Sequence, residues 1–356
     1  MWKDRRILDL LGIELPVIQA PMAGANLSDM VIAVSEAGGL GSLPCALLSI
    51  DKAREELSRI RQKTSKPINV NFFCHQAPVF DSEREAAWKQ RLKDYYMELG
   101  LDPAMPTPLS ARAPFDEAFL GLVEEFRPEI VSFHFGLPRQ DLLNRVKETG
   151  AKVLSSATTV DEARWLEREG CDAIIAQGFE AGGHRGIFLT DDISTQVGTM
   201  ALVPQVVDAV KVPVIAAGGI ADARGIVAAF ALGASAVQIG TAYLFTPEAT
   251  ISPVHRQALK GAGSEKTALT NLFTGRPARG IVNRVMREVG PISTSAPDFP
   301  LAGGALAPLR QKSEPLGSGD FMSLWSGQAA GLSRELPAGE LTKRLAEEAL
   351  ARLSSR

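Results

Sequence analysis

Eight short runs of β-forming residues, separated by longer segments of helical period, predict a (β/α)₈ barrel for this 356-residue chain. Three observations carry the reading: strand and helix patterns alternate, glycines fall where each helix should stop, and the strand count is the number that closes such a barrel. The strand candidates span 16–19, 39–43, 68–73, 130–135, 152–156, 173–177, 213–217 and 236–240. Between them, Thr159 is placed to cap a helix over 160–169, with Glu162 as its capping-box partner and Gly170 as the stop. Asp222 and Gly233 bracket 223–232 by the same logic, and Gly38 and Gly150 end two more helices.

Two regions break the rhythm. Residues 75–128 are too long for one βα turn and predict a helical insertion between strands three and four. Residues 290–320, rich in Pro, Gly, Ser and Ala, read as a long surface loop, followed by a C-terminal helical extension over 320–332 and 337–353. The expected organisation is a barrel of 1–74 and 129–290, an insertion of 75–128, and 291–356 packed back onto the barrel.

Composition narrows the function. The chain is 45% hydrophobic and 22% charged, as in an ordinary globular protein, and its net charge of −3 offers nothing to a nucleic-acid backbone or an anionic membrane. No apolar run approaches a membrane span, and Arg5-Arg6 does not lead into a signal-like segment, so the cytoplasm is expected. Cys45, Cys74 and Cys171 lack C-x-x-C spacing, and His75, His134, His184 and His255 lack H-E-x-x-H spacing. A metal site is not predicted; His75 and His255 read as structural or surface residues, and the cysteines as small buried hydrophobes.

In a barrel the reactive residues follow the strands at their C-terminal ends. Ala20, Pro21 and Met22 follow the first strand; Asn71 and His134 stand near the ends of the third and fourth. Gln177 ends the sixth, ahead of Glu180-Ala181-Gly182-Gly183-His184-Arg185-Gly186. Gly218-Gly219 follow the seventh, and Gln238, Ile239, Gly240 and Thr241 close the eighth. The last two turns are the usual phosphate position of the fold, where backbone N–H groups approach an anion. Asn71 and Gln177 offer amides to the edge of a heterocycle, and Met22 a polarizable surface. His184 is the natural proton carrier, with His134 behind it.

Taken in order, Gln19-Ala20-Pro21-Met22, Asn69-Val70-Asn71-Phe72-Phe73, Ser132-Phe133-His134-Phe135-Gly136, the His184 loop, Ala216-Ala217-Gly218-Gly219-Ile220 and Gln238-Ile239-Gly240-Thr241 resemble the nitronate monooxygenases of the FMN-barrel type. Trp325-Ser326-Gly327-Gln328 resembles that family's first class, in which C-terminal helices complete the flavin pocket. A monomer or homodimer is expected, and the resemblance implies FMN held through Asn71, Gln177, Gly182, Gly219 and 238–241, with His184 facing the flavin. It implies oxidation of a small nitronate by O₂ to a carbonyl compound and nitrite, with propionate 3-nitronate the family-based substrate. A protonated His184 would stabilise the anion; a neutral one would accept a proton from a nitroalkane. Two other readings use the same barrel: an NAD(P)H-dependent enoyl-thioester or quinone reductase, and a flavin- or phosphate-binding barrel without turnover.

Overall fold

The structure, a computed structural model, describes residues 2–108, 110, 112–261, 263 and 266–354. The barrel strands are β1 (Val17–Gln19), β2 (Gly41–Pro44), β3 (Ile68–Phe73), β4 (Ile130–His134), β5 (Lys152–Ala157) and β6 (Ala173–Gln177). A two-residue strand, β7 (Gly183–His184), intervenes before the last two, β8 (Val214–Ala217) and β9 (Ala236–Ile239). All eight barrel strands run parallel in the order β1-β9-β8-β6-β5-β4-β3-β2. A bridge between Ile18 and Leu40 closes the ring, Gln19 N donating to Leu40 O at 2.9 Å. The predicted (β/α)₈ barrel is therefore present, each strand within two residues of its expected bounds.

Strand parity divides the side chains into two layers. Outward positions such as Val17, Ile174, Ala216, Val237 and Ile239 pack against the surrounding helices. Inward positions at the bottom, among them Ile18, Leu154, Ile175 and Ile215, fill the barrel and meet the N-terminal helix Arg6–Leu11, whose Ile7, Leu8 and Leu11 plug it. Near the C-terminal ends the inward positions turn polar, at Asn71, Ser132, His134, Ser156, Gln177 and Gln238. That switch from apolar to polar at constant parity creates the cavity described below.

The insertion carries a helix, Ser82–Glu98, whose Trp88, Leu92, Tyr95 and Tyr96 form a second core with Leu272, Phe273, Val285, Leu306 and Leu309. The next helix, Glu117–Phe126, belongs to the barrel wall, with Phe119 and Leu120 in the main core. A small antiparallel sheet, β10 (Thr267–Thr270), β11 (Ala278–Ile281) and β7, ties the His184 loop to this second core.

Three details depart from the sequence reading. The expected loop over 290–320 contains a helix, Gly303–Ser313, and the expected helix over 320–332 has only a single 3₁₀ turn, Ala330–Leu332. Tertiary contacts decided both. Tyr96 donates to the Ala305 carbonyl at 2.6 Å and Trp88 to the Ala302 carbonyl at 3.0 Å, while Leu306 and Leu309 are buried. Residues 319–322 are held by Asn283 instead, whose Nδ2 donates to Gly319 O and Met322 O at 2.9 and 2.8 Å. Thr159 caps its helix as predicted, but Glu162 does not close a capping box. Its buried carboxylate accepts from Thr158 N, Thr158 Oγ1 and Phe188 N at 2.6, 2.7 and 2.7 Å, clamping the segment beyond the His184 loop.

Candidate active site

A cavity of about 440 Å³ opens at the C-terminal end of the barrel, within the size range of cofactor and ligand sites. Ala20, Pro21, Met22, Asn71, His134, Gln177, Gly182, Gly183, His184, Gly218, Gly219, Gln238, Gly240 and Thr241 all line it. Ile239, alone of the predicted set, does not; its parity turns the side chain into the barrel–helix core.

The β8 turn is shaped for close approach. Gly218 and Gly219 have φ of +107° and +70°, conformations that side-chain-bearing residues rarely adopt. The turn lies past the last ladder pair, Ala217 with Gln238, so its N–H groups are not committed to the sheet. Thr199 Oγ1 donates to Gly218 O at 2.9 Å and its N–H to the Glu180 carboxylate, fixing the turn from behind.

The His184 loop has a separate anchor. Arg185 is fully buried, donating to Gln196 Oε1, Gly178 O and Gln177 O at 2.9, 2.7 and 2.7 Å. Gln177 completes the clamp, its Nε2 donating to His184 O at 3.0 Å and its Oε1 accepting from Gly186 N at 2.7 Å. Both ends of that amide therefore hold the loop. Asn71 Nδ2 is likewise engaged with Ser132 O and Oγ. By contrast, Gln238 Oε1 is buried without a partner among the described residues, an acceptor awaiting a donor.

The histidines are not equivalent. His134 Nε2 lies 3.3 Å from His184 O, which only accepts, so this nitrogen carries the proton and Nδ1 accepts from Ser156 Oγ at 3.1 Å. Both of its nitrogens are engaged. His184 Nε2 meets Thr274 Oγ1 at 2.9 Å, and that hydroxyl donates onward to Arg276 O at 3.4 Å, so Nε2 donates and Nδ1 keeps its lone pair. Burial holds His184 well below the ordinary histidine range, and Arg112, His134, Arg276 and His75 add to it. A neutral imidazole results, which favours the proton-accepting role over the charge-holding one.

Apart from Trp325, whose segment the resemblance had placed at the pocket, several residues in and around the site were not singled out from sequence. His75 is buried, in keeping with the structural one of its two readings, its ring 4.8 Å from that of Phe299, and burial pushes its pKa down to about 4. Phe299 also lies 5.4 Å from His184, and Trp325 5.5 Å from it, so aromatic faces enclose the imidazole. His255 lines the far side, held by Trp325 O at 3.0 Å. Arg112 lines the cavity, its Nε buried without a partner and its pKa pushed down to about 10 by burial. Arg276 lies over Phe135 at 4.5 Å. The positive charge near His184 thus comes from arginines. Ser132 and Ser156 had a readable signal: each is a small polar residue at inward parity within an apolar strand.

The C-terminal segment roofs this arrangement. Gly327 N donates to Thr241 Oγ1 at 2.9 Å and Gln328 N to Glu180 O at 3.0 Å. A Cβ on Gly182 would meet the Gly327 amide and come within 2.6 Å of the Ser326 carbonyl carbon, so the roof and the His184 loop meet backbone to backbone. Among the described residues no group of His, Cys, Asp and Glu is arranged to hold a metal, and no helix is long and apolar enough to cross a membrane.

A parallel barrel with a glycine turn of the phosphate-binding type, an enclosed histidine and a part-buried arginine whose Nε has no partner among the described residues is a ligand-binding site at the usual catalytic end of a (β/α)₈ enzyme fold. Known proteins specify the class. The family model described as nitronate monooxygenase matches residues 4–348. A nitronate monooxygenase of Pseudomonas aeruginosa is 43% identical over 349 residues, spanning 96% of this chain and 98% of that protein. The crystal structure of a nitroalkane oxidase from Streptomyces ansochromogenes superposes with a TM-score of 0.89 at 38% identity, covering 98% of this chain and 99% of that one. That of FabK from Thermotoga maritima gives 0.75 at 30% identity, covering 98% and 97%. The chain belongs to the nitronate monooxygenase family. It is an enzyme of oxidoreductase type, and the reductase reading has the weaker support.

Proposed function

We propose that the cavity holds FMN and that the chain oxidises alkyl nitronates with O₂ to a carbonyl compound and nitrite, propionate 3-nitronate being the first substrate to test. The observation that carries the reading is the pairing, within one cavity, of the Gly218–Gly219 turn with the unpartnered Gln238 Oε1 and the enclosed His184. The residues fit the cofactor. The β8 and β9 turns would take its single phosphate, Gln238 would accept from an N–H at the ring edge, and Met22 would lie against the ring. Bound FMN would supply the electron acceptor for the nitronate and the electron donor for O₂.

The remaining work falls to the chain. Arg112, which lines the cavity, draws an anionic substrate toward His184, and the aromatic rings of Phe73, Phe299 and Trp325 packed around the imidazole strengthen that field by excluding water. His184 Nδ1 accepts the α-proton of a neutral nitroalkane, while His134 positions the His184 loop through its carbonyl. The helix Ser82–Glu98 of the insertion and the segment 296–330 act as one roof over the barrel mouth, while the C-terminal helix Ala338–Ser354 packs into the outer helical layer of the barrel. Heat-denaturing the purified protein and identifying the released flavin, alongside nitrite formation from propionate 3-nitronate, tests the proposal. A colourless protein that takes up no added FMN and forms no nitrite refutes it.

A further inference from the structure

The connection between β10 and β11, residues 271–277, serves His184 twice. Through the backbone, β11 pairs Ala278 with His184, and Arg185 N donates to Pro277 O at 2.9 Å. Through a side chain, Thr274 Oγ1 meets the imidazole Nε2 at 2.9 Å. Thr274 is buried and does not line the cavity, so it reaches the ring from behind. Its own place is fixed. Leu272 and Phe273 root the connection in the second core, Gly275 N donates to Asn271 O at 2.7 Å, and both ends of the Asn271 amide bond to Ser293. Gly275 has φ of +94°, and a Cβ there would come within 2.6 Å of the Phe299 nitrogen. The segment that brings Phe299 to the imidazole therefore lies directly against this turn.

We infer that Thr274 is a positioning residue: its hydroxyl holds the His184 proton on Nε2 and so keeps the Nδ1 lone pair at the cavity. The inference rests on the proposed function and goes further by naming the group that sets the base's tautomer. A neutral imidazole carries one proton, and only the nitrogen without it can accept another. With the proton on Nε2, the N–H is satisfied by Thr274 Oγ1, whose own proton has the Arg276 carbonyl at 3.4 Å. Without the hydroxyl, a proton on Nε2 becomes a buried donor with no acceptor. That penalty shifts the balance of tautomers about tenfold or more toward a proton on Nδ1. An Nδ1 that carries the proton is a donor to the cavity and cannot take the α-proton of a nitroalkane.

The test compares the parent with Thr274→Val, which keeps the shape and removes the hydroxyl, and Thr274→Ser, which keeps the hydroxyl. Nitrogen NMR of flavin-loaded protein labelled with ¹⁵N in its histidines reads the tautomer, because protonated and bare ring nitrogens differ widely in shift. The pair of signals lost in His184→Asn identifies the residue. The expected result is a proton on Nε2 in the parent and Thr274→Ser, and on Nδ1 in Thr274→Val. With it, kcat/KM for nitroethane should fall about tenfold or more in Thr274→Val and return in Thr274→Ser, while that for ethyl nitronate changes little. Equal losses on both substrates with the tautomer unmoved overturn the inference. If Thr274→Val does not fold, the parent spectrum decides: an Nε2 proton slow to exchange with deuterated solvent upholds the inference, and a proton on Nδ1 overturns it. A tautomer that moves in Thr274→Val while both substrates react as before leaves the hold of Thr274 on the ring standing and refutes the proton-accepting role of His184.

Discussion

Replacing His184 with Asn removes an imidazole whose Nδ1 keeps a lone pair at the cavity. In the parent enzyme Nε2 is tied to Thr274 at 2.9 Å, leaving Nδ1 to accept a proton, and burial with neighbouring arginines keeps the ring neutral at pH 7. A neutral nitroalkane must lose its α-proton before oxidation, whereas a preformed nitronate needs no such step. General-base contributions run to about 10²–10⁴-fold. His184→Asn should therefore lower kcat/KM for nitroethane by at least about a hundredfold, roughly 2.7 kcal/mol, and that for ethyl nitronate by much less. The pH profile supplies a second check. Because the pKa is lowered, the base is present throughout the neutral range, and the His184-dependent rate should fall only well below pH 6.5. Nitrite release measured on both substrates across pH decides the matter. Equal losses on the two substrates, or none on either with the flavin still bound, would refute the proton-accepting role.

Other expectations follow from the same geometry. Gly219→Val puts a β-branched residue at φ +70°, so the turn must shift, and FMN affinity by equilibrium dialysis should drop about tenfold or more. Gly182→Ala drives a methyl into the Ser326–Gly327 backbone, and limited proteolysis should then cut the 323–330 segment faster. His75 is buried neutral with its pKa near 4, so the unfolded chain takes up protons first as pH falls. Stability present above pH 6.5 should be lost progressively down to about pH 4, on the order of 3 kcal/mol from this residue, and His75→Phe should flatten that part of a urea-denaturation profile. NADH and NADPH should fail to bleach the bound flavin anaerobically; rapid bleaching by either would favour the reductase reading.

The barrel was legible because its strands are buried on both faces and so read as short apolar runs, with Gly170 and its counterparts marking where helices stop. The chemistry at the strand ends was legible where glycines flank it, as at Gly218–Gly219 and around His184. Arg112 was not, because it sits in the Pro-rich insertion, and only the folded chain brings it to a cavity formed by distant strands. The helix Gly303–Ser313 was hidden for a related reason. Its glycine-, alanine- and proline-containing sequence has little intrinsic helical signal, and burial against Trp88 and Tyr96 supplies what propensity does not. Likewise the roles of Gln177 and Glu162 as clamps on the 184–189 segment depend on partners fixed only by folding.

The central claim is that a nitronate held beside His184 is itself the electron donor to a flavin bound at the β8 and β9 turns. Anaerobic mixing of the flavin-loaded enzyme with propionate 3-nitronate, followed by its visible absorption spectrum, tests this directly. The account predicts rapid loss of the oxidised-flavin band without any nicotinamide, and nitrite formation once O₂ is admitted. A spectrum unchanged by the nitronate but bleached by NADH would contradict it.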